Sequence, residues 1–251
     1  MDSIKLIILA AGKGKRMNSE LPKVLLPLAG KPLLLHLLEA IKTSGLSKPI
    51  ILVVGVASED VKKIAGPEYQ YVLQKEQLGT GHAVQCAESS LKDRAEHIMV
   101  LYGDHPLVDA ETIRHIAQSH LSHHNPVTMA TVQVDNFDGK NENFKDYGRI
   151  LRDKNGKIDR IVERKDATPE ELNVTEVNPS YFCFNATWLW KNLKHLTQEN
   201  AQHEYYLTSL PQMAHQNGEN ITTISINPIT ALGANTPEQL AILEQTIREN
   251  K

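Results

Sequence analysis

What the chain has little of narrows the field first. Its two cysteines, Cys86 and Cys183, stand far apart and form no metal-spaced pair, which excludes a disulfide framework and a cysteine-built zinc site. No apolar run approaches the length of a membrane span. The N-terminus lacks the plan of a signal peptide, because Lys5 interrupts the apolar stretch from Ile4 to Ala11 and glycines and lysines follow at once. No long block of lysine and arginine is present, and the formal net charge of -3 argues against a general nucleic-acid binder. There is no internal repeat and no low-complexity segment. These absences leave a soluble, cytoplasmic protein with neither nucleic acid nor membrane as partner. A chain of 251 residues suits one large α/β domain, or one with a subdomain, and buries a sizeable core.

Strand and helix signals alternate over the first hundred or so residues. Strands are predicted at 5–9, 49–54, 69–73 and 97–102. A helix opens at Pro32, carries Leu33, Leu34, Leu37, Leu38 and Ile41 on one side and ends at Gly45; further helices fall at 59–65 and 81–91. This alternation predicts a parallel sheet with helices on both faces, with ligands gathering at the carboxyl ends of the strands. From about Val127 the pattern changes to a strand at 127–134, a polar loop at 135–146 and a hairpin of 148–152 with 158–163. A strand at 176–185, helices at 187–195 and 205–217, and a strand at 221–226 follow. Thr236 caps a closing helix at 236–249, with Pro237 in its first turn. The expected organisation is one domain over 1–251: a nucleotide-binding half to about 126, a β-rich lobe at about 127–235, and a C-terminal helix at 236–251.

The stretch Leu9-Ala10-Ala11-Gly12-Lys13-Gly14-Lys15-Arg16-Met17 follows the first strand and precedes Leu21-Pro22-Lys23. Gly12 and Gly14 let several backbone N–H groups approach one set of phosphate oxygens, and Lys13, Lys15, Arg16 and Lys23 add charge for a polyanion such as a nucleoside triphosphate. The loop is not a Walker A motif, because no Ser or Thr follows Gly-Lys. It is not a Rossmann fingerprint either, because Met17 stands where the third glycine belongs. A bland surface turn accounts for the glycines but not for the buried strand before them or the cations after.

More segments of this kind occur along the chain. They are Leu21-Pro22-Lys23-Val24, Leu28-Ala29-Gly30-Lys31-Pro32, Gln74 to Ala83, Tyr102-Gly103-Asp104, Tyr147-Gly148-Arg149-Ile150, Ile161 to Ala167, Asn200 to Thr208 and Gly233-Ala234-Asn235. Together with the glycine loop, and in this order, they resemble the uridylyltransferase domain of the bifunctional enzyme family that makes UDP-N-acetylglucosamine. The resemblance covers essentially the whole chain. It implies a Rossmann-like nucleotidyltransferase fold of the GT-A-like kind, with a mixed sheet, helices on both faces and a small β-rich sugar-binding lobe. It also implies transfer of a uridylyl group from UTP to N-acetylglucosamine 1-phosphate, with release of pyrophosphate and use of Mg2+.

By that resemblance Ala11 and Gly12 hold the uridine with Gln74, Gly79 and Thr80, and Leu9 and Ala10 are further substrate contacts. Arg16 acts on the pyrophosphate and Lys23 near the α-phosphate. Asp104 and Asn235 hold magnesium, flanked by Tyr102 and Gly103 as substrate contacts, and Gly148, Glu163 and Asn178 bind the sugar. The residues' own chemistry fits in part. A glutamine amide pairs with a uracil edge, although a helix N-cap at Thr80 explains that segment equally well. Asp104 at the end of a buried strand facing a phosphate loop suits magnesium, which needs only one or two carboxylates besides phosphates and water. Taken alone, Glu163 and Asn178 read better as solvated strand residues.

The chain departs from the family in three places. Pro179-Ser180 follows Asn178 where Thr-Gly is usual, and His105 replaces a small apolar residue after the metal-binding Asp. The family's hexapeptide-repeat β-helix does not follow before Lys251, so neither acetyl-CoA-dependent activity nor a trimer is expected; a monomer or weak dimer is. Several tempting motifs take a plainer reading. His120 and His124 have zinc-pair spacing on a helix with His115 and His123 but lack the required Glu, so a solvated helix end is expected. Asp153-Lys154-Asn155-Gly156 is expected to form a hairpin turn rather than a calcium loop. Two other functions compete: nucleotidyl transfer to a different sugar 1-phosphate, and a catalytically silent sugar-nucleotide-binding regulatory protein. The presence of Arg16, Lys23, Asp104 and Asn235 together favours the enzyme.

Overall fold

The computed structural model describes residues 2–12, 14–46, 48–56 and 58–249. The chain opens with β1 (Ile4–Ala10), an almost unbroken apolar run because both of its faces are covered. A small hairpin, β2 (Pro27–Leu28) and β3 (Lys31–Pro32), leads into α1 (Leu33–Ser44), which stops at Gly45 with φ 77°. Then come β4 (Ile50–Val54), α2 (Ser58–Ala65), β5 (Gln70–Leu73), α3 (Thr80–Cys86), α4 (Glu88–Leu91) and β6 (His97–Tyr102). Next are α5 (Ala110–His123), β7 (Val127–Gln133), the hairpin β8 (Gly148–Arg152) and β9 (Ile158–Val162), β10 (Glu176–Asn178) and β11 (Phe182–Asn185). The chain closes with α6 (Ala186–Leu193), α7 (Leu210–Gln216), β12 (Ile221–Ser225) and α8 (Pro237–Glu249).

The strands form a mixed sheet in the order β5-β4-β1-β6-β11-β7-β10-β8-β9, with β12 also on β7. β5, β4, β1 and β6 are parallel, and β11 is antiparallel to both of its neighbours, β6 and β7. Alternation along β1 divides the core into two layers. Leu6 and Ile8 face the α1 leucines and Ile113 and Ile116 of α5; Ile7 and Leu9 face Val84 of α3, Leu189 of α6 and Leu210 of α7. Helices therefore cover both faces, and the carboxyl ends of β1 and β6 lie side by side, in register from Ile4 and His97 to Leu9 and Tyr102.

Several boundaries differ from the sequence reading. The strand expected at 176–185 is two strands that pair with different neighbours, because Ser180 adopts a left-handed φ of 66° between them. The helix expected at 81–91 is interrupted at Ala87, and the one at 205–217 begins only at Leu210, after a 3-10 turn at Leu207–Ser209. The polar loop before β8 winds into a 3-10 segment, Gly139–Asp146. Thr236 accepts from the Gln239 N–H as the expected cap. Asp153 closes the β8–β9 turn by accepting from the N–H groups of Asn155 and Lys157. His120 is a correction: it is buried, with Nε2 3.0 Å from Nδ1 of His97 and Nδ1 2.9 Å from the Thr128 hydroxyl. The helix carrying it packs on β7 and β11, so the position is core rather than solvent. No helix among the described residues is long and apolar enough to cross a membrane.

Candidate active site

A cleft of about 450 Å³ opens at the carboxyl ends of β1 and β6. Leu9, Ala11, Gly12, Arg16, Lys23, Gln74, Gly79, Thr80, Tyr102, Asp104 and Asn235 all line it, so residues up to 226 positions apart in sequence meet at one place. Ala10 and Gly103 are buried behind that lining; the Gly103 N–H donates to the Leu9 carbonyl at 2.9 Å. Lys13 lies outside the described residues, and so does the Lys15 side chain. Gly14 has φ 60°, and a Cβ there would meet Lys23 Cβ at 2.9 Å, so the loop folds tightly over the lysine only with glycine at that point.

Lys23 is the electrostatic centre of the cleft. Its ammonium donates to Asp104 Oδ2 and, at 2.8 Å, to Asn235 Oδ1. The Asp104 carboxyl is almost fully buried, which alone would raise its pKa; Lys23 and then His105 outweigh that and hold it below the usual carboxylate range. The loop carrying Asn235 is fixed by the Ala234 N–H on the Asp104 carbonyl (3.3 Å) and by the Asn235 N–H on Gln239 Oε1 (2.7 Å). Gln239 in turn donates to Asp146 Oδ2 at 2.9 Å, and Asp146 also accepts from Arg164 and lies 3.8 Å from Arg16. His105 is buried behind Asp104. Tyr181 gives its hydroxyl proton to the Thr230 carbonyl (2.9 Å), so at 3.1 Å it accepts from His105 Nδ1–H. Gly233 is required there, since a Cβ would come within 2.6 Å of that ring.

The donor chemistry suits a divalent cation. One carboxylate oxygen and one amide oxygen, both hard ligands, already converge on a positive group. Among the described residues no group of three or more His, Cys, Asp or Glu side chains forms a cage of its own. That pattern fits magnesium, which usually arrives with phosphates and keeps several waters.

Thr80 is not the helix cap. Gly79, with φ 107°, holds that position, and the Thr80 hydroxyl accepts from the Leu207 N–H at 2.9 Å. The segment is pinned to 200–208, because Gly81 donates to the Tyr205 carbonyl (2.7 Å) and Tyr205 to that of Leu78 (2.8 Å). Asn200 shapes that second segment by accepting from the N–H of Gln202 and of Glu204. Burial raises the pKa of Tyr102, against the opposite pull of the Thr80 and Ser180 hydroxyls.

The three candidate sugar residues also meet. Asn178 pairs with Gly148 in the β10–β8 register, and a Cβ on Gly148 would lie 3.5 Å from Glu163 Oε1. Loss of water raises the Glu163 pKa, although its carboxylate accepts from Thr208 at 2.8 Å. Asn178, however, closes on its own turn: Oδ1 accepts the Ser180 N–H (3.0 Å) and Nδ2 donates to Ser180 Oγ (3.3 Å). Glu163 lines a second hollow of about 490 Å³ with Arg16, Asp146, Arg164, Lys165 and Asn235, and Arg16 and Asn235 line both this hollow and the first cleft. Sequence reasoning did not single out Gln77, Asp146, Arg164, Glu204 or Gln239. Gln77, which donates to the Ala11 carbonyl, Arg164 and Glu204 could have been found inside the Gln74 to Ala83, Ile161 to Ala167 and Asn200 to Thr208 segments; Asp146 and Gln239 carry no local signal.

A cation-rich glycine loop, a lysine–carboxylate pair and an amide oxygen at the carboxyl ends of parallel strands define a protein of the nucleotidyltransferase class. The model of the MobA-like NTP transferase domain matches residues 6–212, and the chain belongs to that family. It is 40% identical to the "bifunctional protein GlmU" of Clostridium novyi (strain NT) over 96% of this chain and 52% of that one. It is also 40% identical to the protein of that name from Pelobacter propionicus, over 99% and 53% respectively. The chain thus spans about half the length of the curated relatives it matches. Among solved structures, a UDP-glucose pyrophosphorylase complexed with UDP-glucose superposes with TM-score 0.77 at 17% identity, covering 100% of both chains. A putative glucose-1-phosphate thymidylyltransferase from Bacillus anthracis in complex with a sucrose gives 0.76 at 18%, covering 98% of this chain and 96% of that one. These two likenesses establish the fold.

Proposed function

We propose that the chain is a uridylyltransferase that joins UTP to N-acetylglucosamine 1-phosphate, forming UDP-N-acetylglucosamine and pyrophosphate. The observation that carries this reading is the convergence of Arg16, Lys23, Asp104 and Asn235 on one cleft whose far side carries Gln74. The relatives' name and the match over nearly the full chain support it. A phosphate oxygen of the sugar 1-phosphate attacks the α-phosphorus of UTP in line, and the α–β bridging bond breaks to release pyrophosphate. The attacking group is already an anion, so no protein nucleophile is needed. Gln74 and Thr80 orient the base, Glu163 accepts from sugar hydroxyls, and Arg16 and Lys23 offset the charge that gathers on the phosphates. Asp104 and Asn235 would hold magnesium, which supplies further positive charge to the phosphates when bound.

One observation bears on the sugar. Because Ser180 engages one hydrogen and one lone pair of the Asn178 amide, half of that side chain's hydrogen-bonding capacity is already spent within the protein. A different sugar 1-phosphate is therefore the second reading. Pyrophosphate release measured over a panel that crosses nucleoside triphosphates with sugar 1-phosphates, with and without magnesium, tests both. The first reading expects UTP with N-acetylglucosamine 1-phosphate to be fastest and metal-dependent. Preference for another sugar would leave the reaction class standing and replace the substrate. No pyrophosphate from any pair would refute the reading.

A further inference from the structure

Gln74, which lies just past the end of β5, is buried at 3% exposure, and its side-chain amide is held in one orientation. The amide nitrogen lies 3.0 Å from the Gly79 carbonyl oxygen and 3.1 Å from Nδ1 of His82. A carbonyl only accepts, so the atom facing Gly79 is the –NH2 nitrogen, whose second hydrogen then points to His82. Nδ1 of His82 must accept it. The neutral ring therefore carries its own hydrogen on Nε2, which lies 3.8 Å from Cys86 Sγ, one helical turn on in α3. With both amide hydrogens spent, the Gln74 carbonyl oxygen is the end left for a ligand, and Gln74 lines the cleft beside Ala11, Gly12 and Thr80.

An oxygen in that place accepts a hydrogen bond and cannot give one. Uracil presents an N–H at ring position 3, whereas cytosine presents a bare acceptor nitrogen there. Turning the amide over to suit cytosine would set its oxygen against the Gly79 carbonyl in a buried place, and would force His82 to shift its own hydrogen from Nε2, where it faces Cys86 Sγ, to Nδ1. We propose that His82 is a specificity-determining positioning residue. By accepting from Gln74 through Nδ1 it helps hold the amide oxygen toward the cleft, and so selects a pyrimidine with a donor at position 3 over cytosine. His82 touches no substrate; it acts through Gln74. The inference rests on the uridylyltransferase reading for the identity of the base.

Binding of UTP and of CTP, measured by titration calorimetry on the native chain and on His82→Leu and His82→Asn, tests it without requiring turnover. The native chain prefers UTP. His82→Leu removes one of the two constraints and lowers the UTP-to-CTP affinity ratio about tenfold, the worth of one neutral hydrogen bond. His82→Asn, whose Oδ1 accepts in place of Nδ1, restores the ratio. Nitrogen NMR of the native protein finds Nδ1 of His82 free of hydrogen and Nε2 bearing it, a readout that stands even if the leucine variant does not fold. A folded His82→Leu that keeps the native ratio within about twofold overturns the proposal. So does hydrogen on Nδ1, or a native chain that does not distinguish UTP from CTP. A chain that binds UTP over CTP yet transfers no uridylyl group would overturn the activity and leave the role of His82 standing.

Discussion

Replacing Lys23 by methionine keeps the stem that packs under Gly14 and deletes the charge between Asp104 and Asn235. The two side chains of the ion pair are only 14% and 11% exposed, so little solvent screens their attraction or replaces it. Breaking a buried pair by removing one partner costs about 3–5 kcal/mol, and the small residual exposure places the expected loss at roughly 3 kcal/mol at neutral pH. For a chain of this size that is a fall of roughly 6–12 °C in Tm. The sign of the pH dependence follows from the carboxyl. In the native chain Asp104 is held below its ordinary value of 3.8, so its contribution is present above that pH and lost as pH falls through the folded pKa. Without Lys23, burial dominates and pushes the carboxyl upward, so the variant's stability declines as pH rises above the ordinary value. The gap between native and variant therefore widens from acid to neutral pH. Excess magnesium should narrow it, since the oxygens that Lys23 vacates are those that suit the ion. Thermal and urea unfolding from pH 4.5 to 7.5, with and without magnesium, measure this. A cooperative Lys23→Met variant that loses less than about 1 kcal/mol at pH 7, or a loss that does not change with pH, would refute the electrostatic account.

Asp104→Asn, nearly isosteric, should leave the fold intact and lower turnover by roughly two or more orders of magnitude; near-native magnesium-dependent pyrophosphate release would remove Asp104 from the metal role. Arg16→Ala should depress kcat more than it raises KM for the sugar phosphate, whereas steady-state kinetics with kcat unchanged would reduce Arg16 to a binding residue. The buried pair His97 and His120 should make the fold acid-sensitive. Desolvation, followed by the neighbouring histidines, lowers His120 from 6.5 to about 4, so stability is full above pH 6.5 and falls toward pH 4 by up to about 3 kcal/mol. Urea unfolding of His120→Gln should show a flatter profile, and an unchanged slope would place the acid sensitivity elsewhere. Pro179→Thr with Ser180→Gly should release Asn178 Nδ2 from the Ser180 hydroxyl and lower KM for N-acetylglucosamine 1-phosphate; no change in sugar preference would mean that these positions do not set it.

The first half of the fold is legible because its signals are local. Ile50 to Val54 is apolar without interruption and becomes a strand covered on both faces, and the α1 leucines repeat at helical spacing up to Gly45. The placement of β11 between β6 and β7 has no such signal. It depends on pairing Phe182 with Val100 and Met129, partners that no periodicity names. His120 misled for the same reason: a histidine near a helix end reads as solvated until β7 brings Thr128 beneath it and β6 brings His97 alongside.

The site divides along the same line. The glycine loop, Gln74 to Thr80, and Asp104 each sit where a strand stops, so position and chemistry were readable together. The supports behind them were not. Gln239 reaches Asp146 across 93 positions, and only the folded chain shows that this amide carries Asn235 on one end and the counter-ion of two arginines on the other. Asn178 is the instructive middle case. Pro179 correctly signalled an extended Asn178, and the residue does lie in β10 beside Gly148 and Glu163. What proline could not signal is that Ser180 would turn left-handed and offer both an N–H and a hydroxyl to the same amide. For a sugar bound as proposed, the amide offers only its remaining hydrogen and lone pair beside Glu163. Discrimination at this position therefore depends on the stability of a two-residue turn as much as on the identity of the asparagine.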